Sequence, residues 1–441
     1  MPQWAPILSP SHDTGARAMA AVQGISQALI QQDYEPPSPE FRRTRNCEEP
    51  LLYGYLARAR GDRDWFDRTA QHLNEAIDRG SSLTDCGLYG GVCGLGWTVE
   101  HISHLLREIT FPDQGEEIVE DGNSFEDEDL NADVDNLVIR ELQRGNWHGP
   151  YDLISGLVGM GVYFLERLPS ERAVLGLQLV LYHLEKSAER LDRGISWRTG
   201  PDLLPESQRE TCPDGYYNLG VAHGVPGIIY LLGEAIAAGV EPTQAGRLLE
   251  GSMEWLIAQQ RPPGSVSWFS SWVNGRESHD SRLAWCYGDL GILAVLLQTA
   301  RRSDREDWRK FSRGLLDHCL DWPLDRTGVG DSPLCHGAAG IAHIYNRIYQ
   351  DERDSKCLEA SITWFERALA MRQTTGGVGG FFAATRPEPG CTLLESNPAF
   401  LDGAIGIALA LLAALTPTEP CWDRLLLLSG RNWRDGARIS S

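Results

Sequence analysis

The feature that most constrains the fold is a pattern, Gly-x-x-Gly followed by apolar residues, that recurs six times along the chain. The six copies begin at Gly91, Gly156, Gly224, Gly288, Gly337 and Gly403. Successive copies are 65, 68, 64, 49 and 66 residues apart. Recurrence of one pattern at similar intervals is typical of a repeat architecture. Each interval is long enough for a helical hairpin with its loops. Each repeat is therefore predicted to contribute one such hairpin.

Two kinds of helix alternate in the sequence. A short apolar stretch with few charges follows each Gly-x-x-Gly, and amphipathic stretches such as 170–191 and 242–260 lie between them. Apolar helices are buried on most sides, and amphipathic helices cover a core with one face. The stretch 12–32 reads as a first outer helix, and 48–59 reads as a first inner helix without the glycines.

These helices predict an all-α fold. We expect a closed α/α toroid of seven inner and seven outer helices, with possible small insertions, that forms one domain over residues 1–441. An open α-solenoid is the structural alternative. Convincing strand patterns are sparse, apart from possible short strands near 265–273.

Composition limits the partners and the location. The chain carries 40 basic and 61 acidic residues, a net charge of −21, which disfavours nucleic acid as a partner. No apolar run reaches the roughly 18 residues of a membrane-spanning helix. We see no secretory signal, so the ten cysteines are expected to be thiols or metal ligands in a cytoplasmic protein.

Many of the acids are concentrated in residues 111–136, which we expect to be an acidic insertion in the toroid. The simpler interpretation is a solvated acidic loop. The alternative is a patch that attracts a cationic peptide.

The informative residues stand just before the glycines. They are Asp152, His223, Cys286, Cys335, His336 and Asp402. If each first glycine marks the start of an inner helix, all of these side chains emerge at one end of the toroid, around a common mouth. His343, by contrast, falls inside an inner helix and is predicted to be a packed core residue.

Two thiols and an imidazole at such a mouth suit a zinc ion. Cys286, Cys335 and His336 would supply three ligands of a tetrahedral site and leave the fourth position open, which is typical of catalytic zinc. A helix N-terminus also favours thiolate over thiol. The alternative is that these are buried structural thiols and a hydrogen-bonded core histidine.

At these residues the sequence resembles the lanthionine synthetase C family. The resemblance rests on "YDLISGLVGMGVYFL", "NLGVAHGVPGIIYLL", "SRLAWCYGDLGI", "PLCHGAAGIAHIY" and "NPAFLDGAIGIALALL", which span residues 151–412. The pair "WCYGD" and "CHG" is highly specific for the family. The resemblance implies an α/α toroid with seven helices in each layer.

The resemblance also implies an activity: Michael-type addition of a peptide cysteine thiol to a dehydroalanine or dehydrobutyrine of the same precursor peptide. The product is a lanthionine or methyllanthionine ring. The family's zinc ligands fall on Cys286, Cys335 and His336. Its catalytic groups fall on His223, Asp152, Arg282 and Tyr287. The implied partners are a dehydrated precursor peptide with its leader and core, a dehydratase and an exporter, in a complex that would bring the protein to the membrane periphery.

Simpler roles stay open for three of these residues. Asp152 would also cap a helix, Arg282 would also form a surface ion pair, and Tyr287 would also simply pack or hydrogen-bond near the zinc. Other functions stay open as well. A relative of this family would add glutathione to dehydroamino acids at the same zinc site. A glycosidase on an α/α toroid would need two carboxylates, for which Asp152 and Asp402 are available. A non-catalytic scaffold of a modification complex is the third alternative.

Overall fold

The computed structural model describes residues 3–32, 48–80, 83–109, 129–276, 279–385 and 392–431. Fourteen helices of this part form two concentric layers. The inner layer consists of α2 (Glu49–Arg60), α4 (Val92–Arg107), α6 (Leu157–Arg167), α9 (Val225–Ala238), α11 (Asp289–Arg302), α13 (Ala338–Glu352) and α15 (Ala404–Leu415). The outer layer consists of α1 (Asp13–Gln31), α3 (Arg63–Gly80), α5 (Ala132–Leu142), α7 (Glu171–Ser187), α10 (Pro242–Ala258), α12 (Glu306–Leu320) and α14 (Ser355–Ala370).

The inner helices form a closed ring. Each one contacts the next, and the last, α15, packs against both α2 and α1. All twelve residues of α15 are buried, as expected for a helix that is apolar on every side. The predicted toroid is confirmed, and the open solenoid is wrong. Within the described residues, we find no helix that combines the length and the apolar character needed to cross a membrane.

In the described part of the chain, small strands occur only in loops that lead from an outer helix to an inner one. They are β1 (Glu189–Arg190), β2 (Ile195–Ser196), β3 (Arg198–Thr199), β4 (Tyr216–Asn218), β5 (Trp272–Val273), β6 (Ala383–Thr385) and β7 (Leu393–Glu395). They pair antiparallel as β1–β2, β3–β4–β5 and β6–β7. The strand predicted near 265–273 is present as β5. A short helix, α8 (Glu206–Arg209), lies between β3 and β4.

The glycine pairs allow each loop to fold back over the start of its own inner helix. A Cβ atom on Gly288 would lie 1.9 Å from the carbonyl oxygen of Arg282, and one on Gly291 would lie 2.0 Å from that of Trp285. Gly288 also has φ +120°, which side chains disfavour. At this repeat each glycine therefore makes its closest contact with its own loop rather than with a neighbouring inner helix.

Backbone hydrogen bonds link the ends of successive loops around the mouth of the toroid. The amide of Leu153 donates to the carbonyl of Ala222 (3.1 Å), and that of Ala222 donates to Cys286 (3.5 Å). The amide of Cys286 donates to Cys335 (3.2 Å), and that of Cys335 donates to Leu401 (2.9 Å). This loop ring fixes the spacing of the residues just before the glycines.

The centre of the toroid is filled by a short 3-10 helix, Cys421–Leu426. The hydroxyl of Tyr55 accepts a hydrogen bond from the amide of Trp422 (3.0 Å). The indole of Trp285 donates to the carbonyl of Leu426 (2.8 Å). Because Trp285 directly precedes Cys286, this central segment supports the mouth from below.

The same central segment supplies a hydrogen-bond partner for His343. Its imidazole is fully buried and lies 3.1 Å from the carboxylate of Asp423, which also accepts hydrogen bonds from Arg347. The prediction that His343 is a packed core residue is confirmed.

Of the predicted acidic insertion at 111–136, residues 111–128 lie outside the described part of the chain. Its last residues, from Ala132, form the first turn of α5. Asp135 is completely buried, where it accepts hydrogen bonds from Tyr163 (2.6 Å) and Arg167 (2.8 Å). The expectation of a solvated acid is wrong for Asp135, since a buried carboxylate is tolerated when it is paired in this way.

Candidate metal centre and active site

Three predicted ligands meet at the mouth of the toroid. The sulphur atoms of Cys286 and Cys335 and a ring nitrogen of His336 all lie within 4.8 Å of one another. Cys335 and His336 reach the same point because their loop turns just before Gly337, the first glycine of its repeat. The loop ring brings Cys286 alongside through its hydrogen bond to the Cys335 carbonyl.

This donor set fits a metal ion. Tetrahedral ligands at bonds of about 2.0–2.3 Å stand roughly 3.3–3.8 Å apart, so the observed spacing needs only a small contraction. A hydrogen bond from Cys335 and a second from His336 hold the pKa of Cys286 well below its ordinary value, against the effect of burial. A thiolate is the form of cysteine that binds metal.

The same hydrogen bonds raise the pKa values of the two neighbours of Cys286, which are Cys335 and His336. The hydrogen bond with Cys286 raises the pKa of Cys335 well above its ordinary value, and burial adds to this rise. The hydrogen bond with Cys286 also raises the pKa of His336, against the effect of burial. At Cys93 and Cys319, by contrast, the thiol pKa is raised mainly by burial. The cluster therefore differs from structural thiols in this protein.

Two carboxylates flank the imidazole of His336. An Asp331 oxygen lies 3.8 Å from its Nε2 atom, and an Asp402 oxygen lies 3.6 Å from its Nδ1 atom. Asp331 is nearly buried, and its Oδ1 atom has no hydrogen-bond partner among the described residues. Metal-binding histidines commonly give their second N–H group to a carboxylate, so either aspartate is suitably located for that role.

Asp152 and His223 form a second reactive group beside the cluster. Nδ1 of His223 lies 2.6 Å from Oδ2 of Asp152. The other carboxylate oxygen, Oδ1, accepts the amide N–H of Ser155 at 2.9 Å. Asp152 therefore both stabilises the turn before α6 and orients the imidazole. The His223 side chain is 43% exposed, so a substrate can reach it.

Tyr287 lies between the two groups. It follows Cys286 in the chain, and its ring centroid is 6.2 Å from that of His223. Its hydroxyl accepts a hydrogen bond from the amide group of Asn218 (3.1 Å). Burial raises the pKa of Tyr287, so it is a neutral phenol at physiological pH.

Arg282 is half-buried and has neither an ion pair nor a side-chain hydrogen bond within the described part of the chain. The surface ion pair considered from the sequence is therefore absent there. Its positive charge contributes to the lowered pKa of Cys286 and acts against the raised pKa of His336. The guanidinium is accordingly near the cluster and available to an anionic group.

Sequence reasoning missed two polar residues of the site, Asn218 and Asp331. Both stand six positions before the first glycine of a repeat, as Arg282 does. The side chain of Asn218 also accepts the amide N–H of Gly220 (2.8 Å), which closes the turn that carries His223. The missed signal was this earlier position in the repeat, because we looked only at the four residues before each glycine.

Comparison with known proteins agrees with this geometry. The model of the family described as "Lanthionine synthetase C-like protein" matches residues 50–427. The nisin biosynthesis protein NisC of Lactococcus lactis subsp. lactis is 21% identical over 315 residues, which cover 66% of this chain and 70% of that protein. The glutathione S-transferase LANCL1 of Danio rerio is 29% identical over 150 residues, and the match covers 32% of each chain.

Among solved structures, the nisin cyclase superposes on this chain with a TM-score of 0.69 at 18% identity. The superposition covers 92% of this chain and 97% of the cyclase, so the two share a fold. Since the family model spans most of the sequence and both helical layers, the chain belongs to the lanthionine synthetase C-like family.

Proposed function

We propose that this protein is a zinc-dependent lanthipeptide cyclase. It would add cysteine thiols of a dehydrated precursor peptide to dehydroalanine or dehydrobutyrine residues of the same peptide. The observation that carries this proposal is the position of Tyr287, which adjoins both the Cys286–Cys335–His336 cluster and the His223–Asp152 pair. In this proposal, the cluster would bind the substrate thiol and the adjacent His223 would donate the proton.

Zinc suits the donor set of two thiols and one imidazole. When bound, it would lower the pKa of a substrate thiol, which is ordinarily near 8.5. Cys286, Cys335 and His336 would hold it and leave one position for the substrate.

The remaining steps are assigned to residues of this chain. The substrate sulphur forms a bond to the β-carbon, and the electron pair of the C=C bond moves onto the amide as an enolate. Arg282, which has no ion-pair partner in the described residues, would stabilise that negative charge. His223 would give a proton to the α-carbon, while Asp152 holds its ring. The proton lost by the thiol balances the one gained by the α-carbon.

The glycosidase alternative fits poorly. Asp152 is occupied by His223, and Asp402 lies beside His336, so the two carboxylates do not flank a common empty space as a sugar would require. The partial match to LANCL1 supports glutathione addition as a second candidate. The dehydratase and exporter implied by the resemblance remain predicted partners.

The test uses a synthetic peptide with one dehydroalanine and one cysteine. Ring closure leaves the mass unchanged, so it is followed as the loss of the alkylatable thiol by mass spectrometry, alongside the zinc content of the protein. We expect wild-type protein with zinc to close the ring, and Cys286→Ala to lose both zinc and activity. Cys357→Ala is the matched control, since that thiol is buried in α14, away from the cluster.

Two results would overturn the proposal: full activity of zinc-free wild-type protein, or full activity of Cys286→Ala. A parallel assay with glutathione and a cysteine-free dehydropeptide separates the second candidate. Faster addition of glutathione than of the intramolecular thiol would favour it.

A further inference from the structure

A pocket of about 290 Å³ opens beside His223. Asp152, His223 and Tyr287 line it on the side toward the cluster. Its volume is at the lower end of the range for small-ligand sites, about 300–1,000 Å³. The pocket is therefore suited to a group the size of one amino-acid residue.

The far wall comes from the loop between α7 and α9. Thr199 of β3 and Tyr216 of β4 line the pocket and stand opposite each other in the small sheet. The hydroxyls of Thr199 and Tyr151 are 3.2 Å apart. The ring of Tyr216 stacks on Trp272 with centroids 5.5 Å apart. These contacts hold the wall in place, so the pocket is preformed.

The residues that line the pocket indicate which kind of group the pocket binds. Among the described residues, Asp152 and His223 are the only carboxylate, histidine, lysine or arginine side chains that line the pocket. Six of the twelve described lining residues are tyrosines, prolines or Leu203, and the other six are polar. Leu203 is 41% exposed at the rim. An exposed leucine beside an aromatic wall favours an uncharged, apolar group, since removing apolar surface from water is favourable.

We infer that this pocket binds the apolar side chain of the substrate residue adjacent to the dehydroamino acid. The inference rests on the proposed function, because it uses His223 as the donor to the α-carbon. With that α-carbon at His223, the neighbouring α-carbon lies about 3.8 Å along the peptide. Its side chain is then the first that extends past His223, away from the cluster and into the pocket.

The test measures binding, so that it does not depend on catalysis. Two fluorescein-labelled peptides carry alanine in place of the dehydroalanine and serine in place of the cysteine. One has leucine on both sides of that alanine, and the other has glycine. We expect wild-type protein to bind the leucine peptide about tenfold more tightly, and Leu203→Asp to reduce this ratio to less than about threefold.

Leu324→Asp provides the matched control. Leu324 is also an exposed leucine in a three-residue 3-10 helix that follows an outer helix, but it does not line the pocket. It brings the same change of charge, and we expect it to keep the tenfold ratio. The inference fails if wild type binds both peptides equally, if Leu203→Asp keeps the ratio, or if Leu324→Asp loses it to the same extent.

The reactive versions of the two peptides separate this inference from the proposed function. If wild type closes no ring in either peptide, the proposed function fails while the binding ratio still decides the pocket. If rings close but the ratio is absent, only the pocket assignment fails.

Discussion

The two ends of the toroid are built differently. At the end where inner helices begin, the loops from outer helices run from 11 to 37 residues and carry every small strand found in the described residues. At the other end, five of the six connections between inner and outer helices are turns of two or three residues. The exception, between α4 and α5, includes residues outside the described part. The candidate site residues are thus concentrated where loop length is free to vary.

The mouth and the central segment each contain an imidazole paired with a carboxylate. At the mouth, His223 and Asp152 are 2.6 Å apart and the imidazole is largely accessible. In the central segment, His343 and Asp423 are 3.1 Å apart and both are fully buried. The difference teaches that exposure, more than the pair itself, separates a candidate for catalysis from a structural contact.

The largest effect is expected at the mouth. His223→Ala should slow ring closure by about 10²–10⁴-fold, because it removes a positioned proton donor, while zinc content and melting temperature stay as in wild type. Rates from thiol alkylation, metal analysis and thermal unfolding together check this. A rate within threefold of wild type would exclude His223 as the donor.

For the buried His343–Asp423 pair, we expect a substitution to lower stability and to leave ring closure unchanged. His343→Ala removes a hydrogen bond and leaves a cavity beside Asp423, so we expect a loss of about 3 kcal/mol in the free energy of unfolding. Ring closure by the folded fraction should remain at the wild-type rate. Urea unfolding and assays at low temperature measure the two quantities. Unchanged stability would show that this contact does not support the central segment.

Acid should weaken the contacts around Arg167, the last residue of α6. Burial alone would raise the pKa of Glu100, but hydrogen bonds and charge from His104 and Arg167 lower it to about 2. The unfolded chain therefore takes up this proton first, and the stabilisation is present above about pH 4.5 and lost as pH falls toward 2.

Glu100→Gln should consequently reduce the fall in stability over that pH range by about 1–2 kcal/mol, once solvent screening is taken into account. Urea unfolding at several pH values provides the measurement. Glu75→Gln, at a more exposed glutamate paired with Arg79, is the control. An identical pH profile for Glu100→Gln and wild type would contradict the assignment.

The smallest effect is expected at the short turns. Insertion of two glycines between Gly61 and Asp62, which connect α2 and α3, should change the free energy of unfolding by less than about 1 kcal/mol. The same insertion between Cys286 and Tyr287 should abolish zinc binding, because it breaks the loop ring. Equal zinc content in the two variants would show that the ring does not fix the ligand spacing.

Much of the fold was predictable because the repeat period is explicit in the sequence. Gly-x-x-Gly located six inner helices, and apolar composition located α2, which lacks the glycines. The closed ring itself depends on contacts between α15 and α2, far apart in sequence, yet the helix count was enough to favour it. The family prediction is confirmed. The cytoplasmic location remains a prediction.

The site was predictable only in part. Cys286, Cys335 and His336 followed from their position beside the glycines, and the structure brings them together. Asn218 and Asp331 were missed because polar residues six positions before a glycine look like ordinary turn formers. Likewise, nothing local in the sequence indicates that Asp135 is buried, since its partner Arg167 lies 32 residues later.

The central 3-10 helix has a consequence for the synthesis of the protein. The amide of Trp422 meets the hydroxyl of Tyr55, 367 residues earlier, and Trp285 also binds this late segment. A ribosome-bound chain that ends before residue 421 has no group to fill the centre or to support the loop of Cys286. Contacts of such long range form slowly, so a competent mouth should arise only after residues 421–426 have left the ribosome.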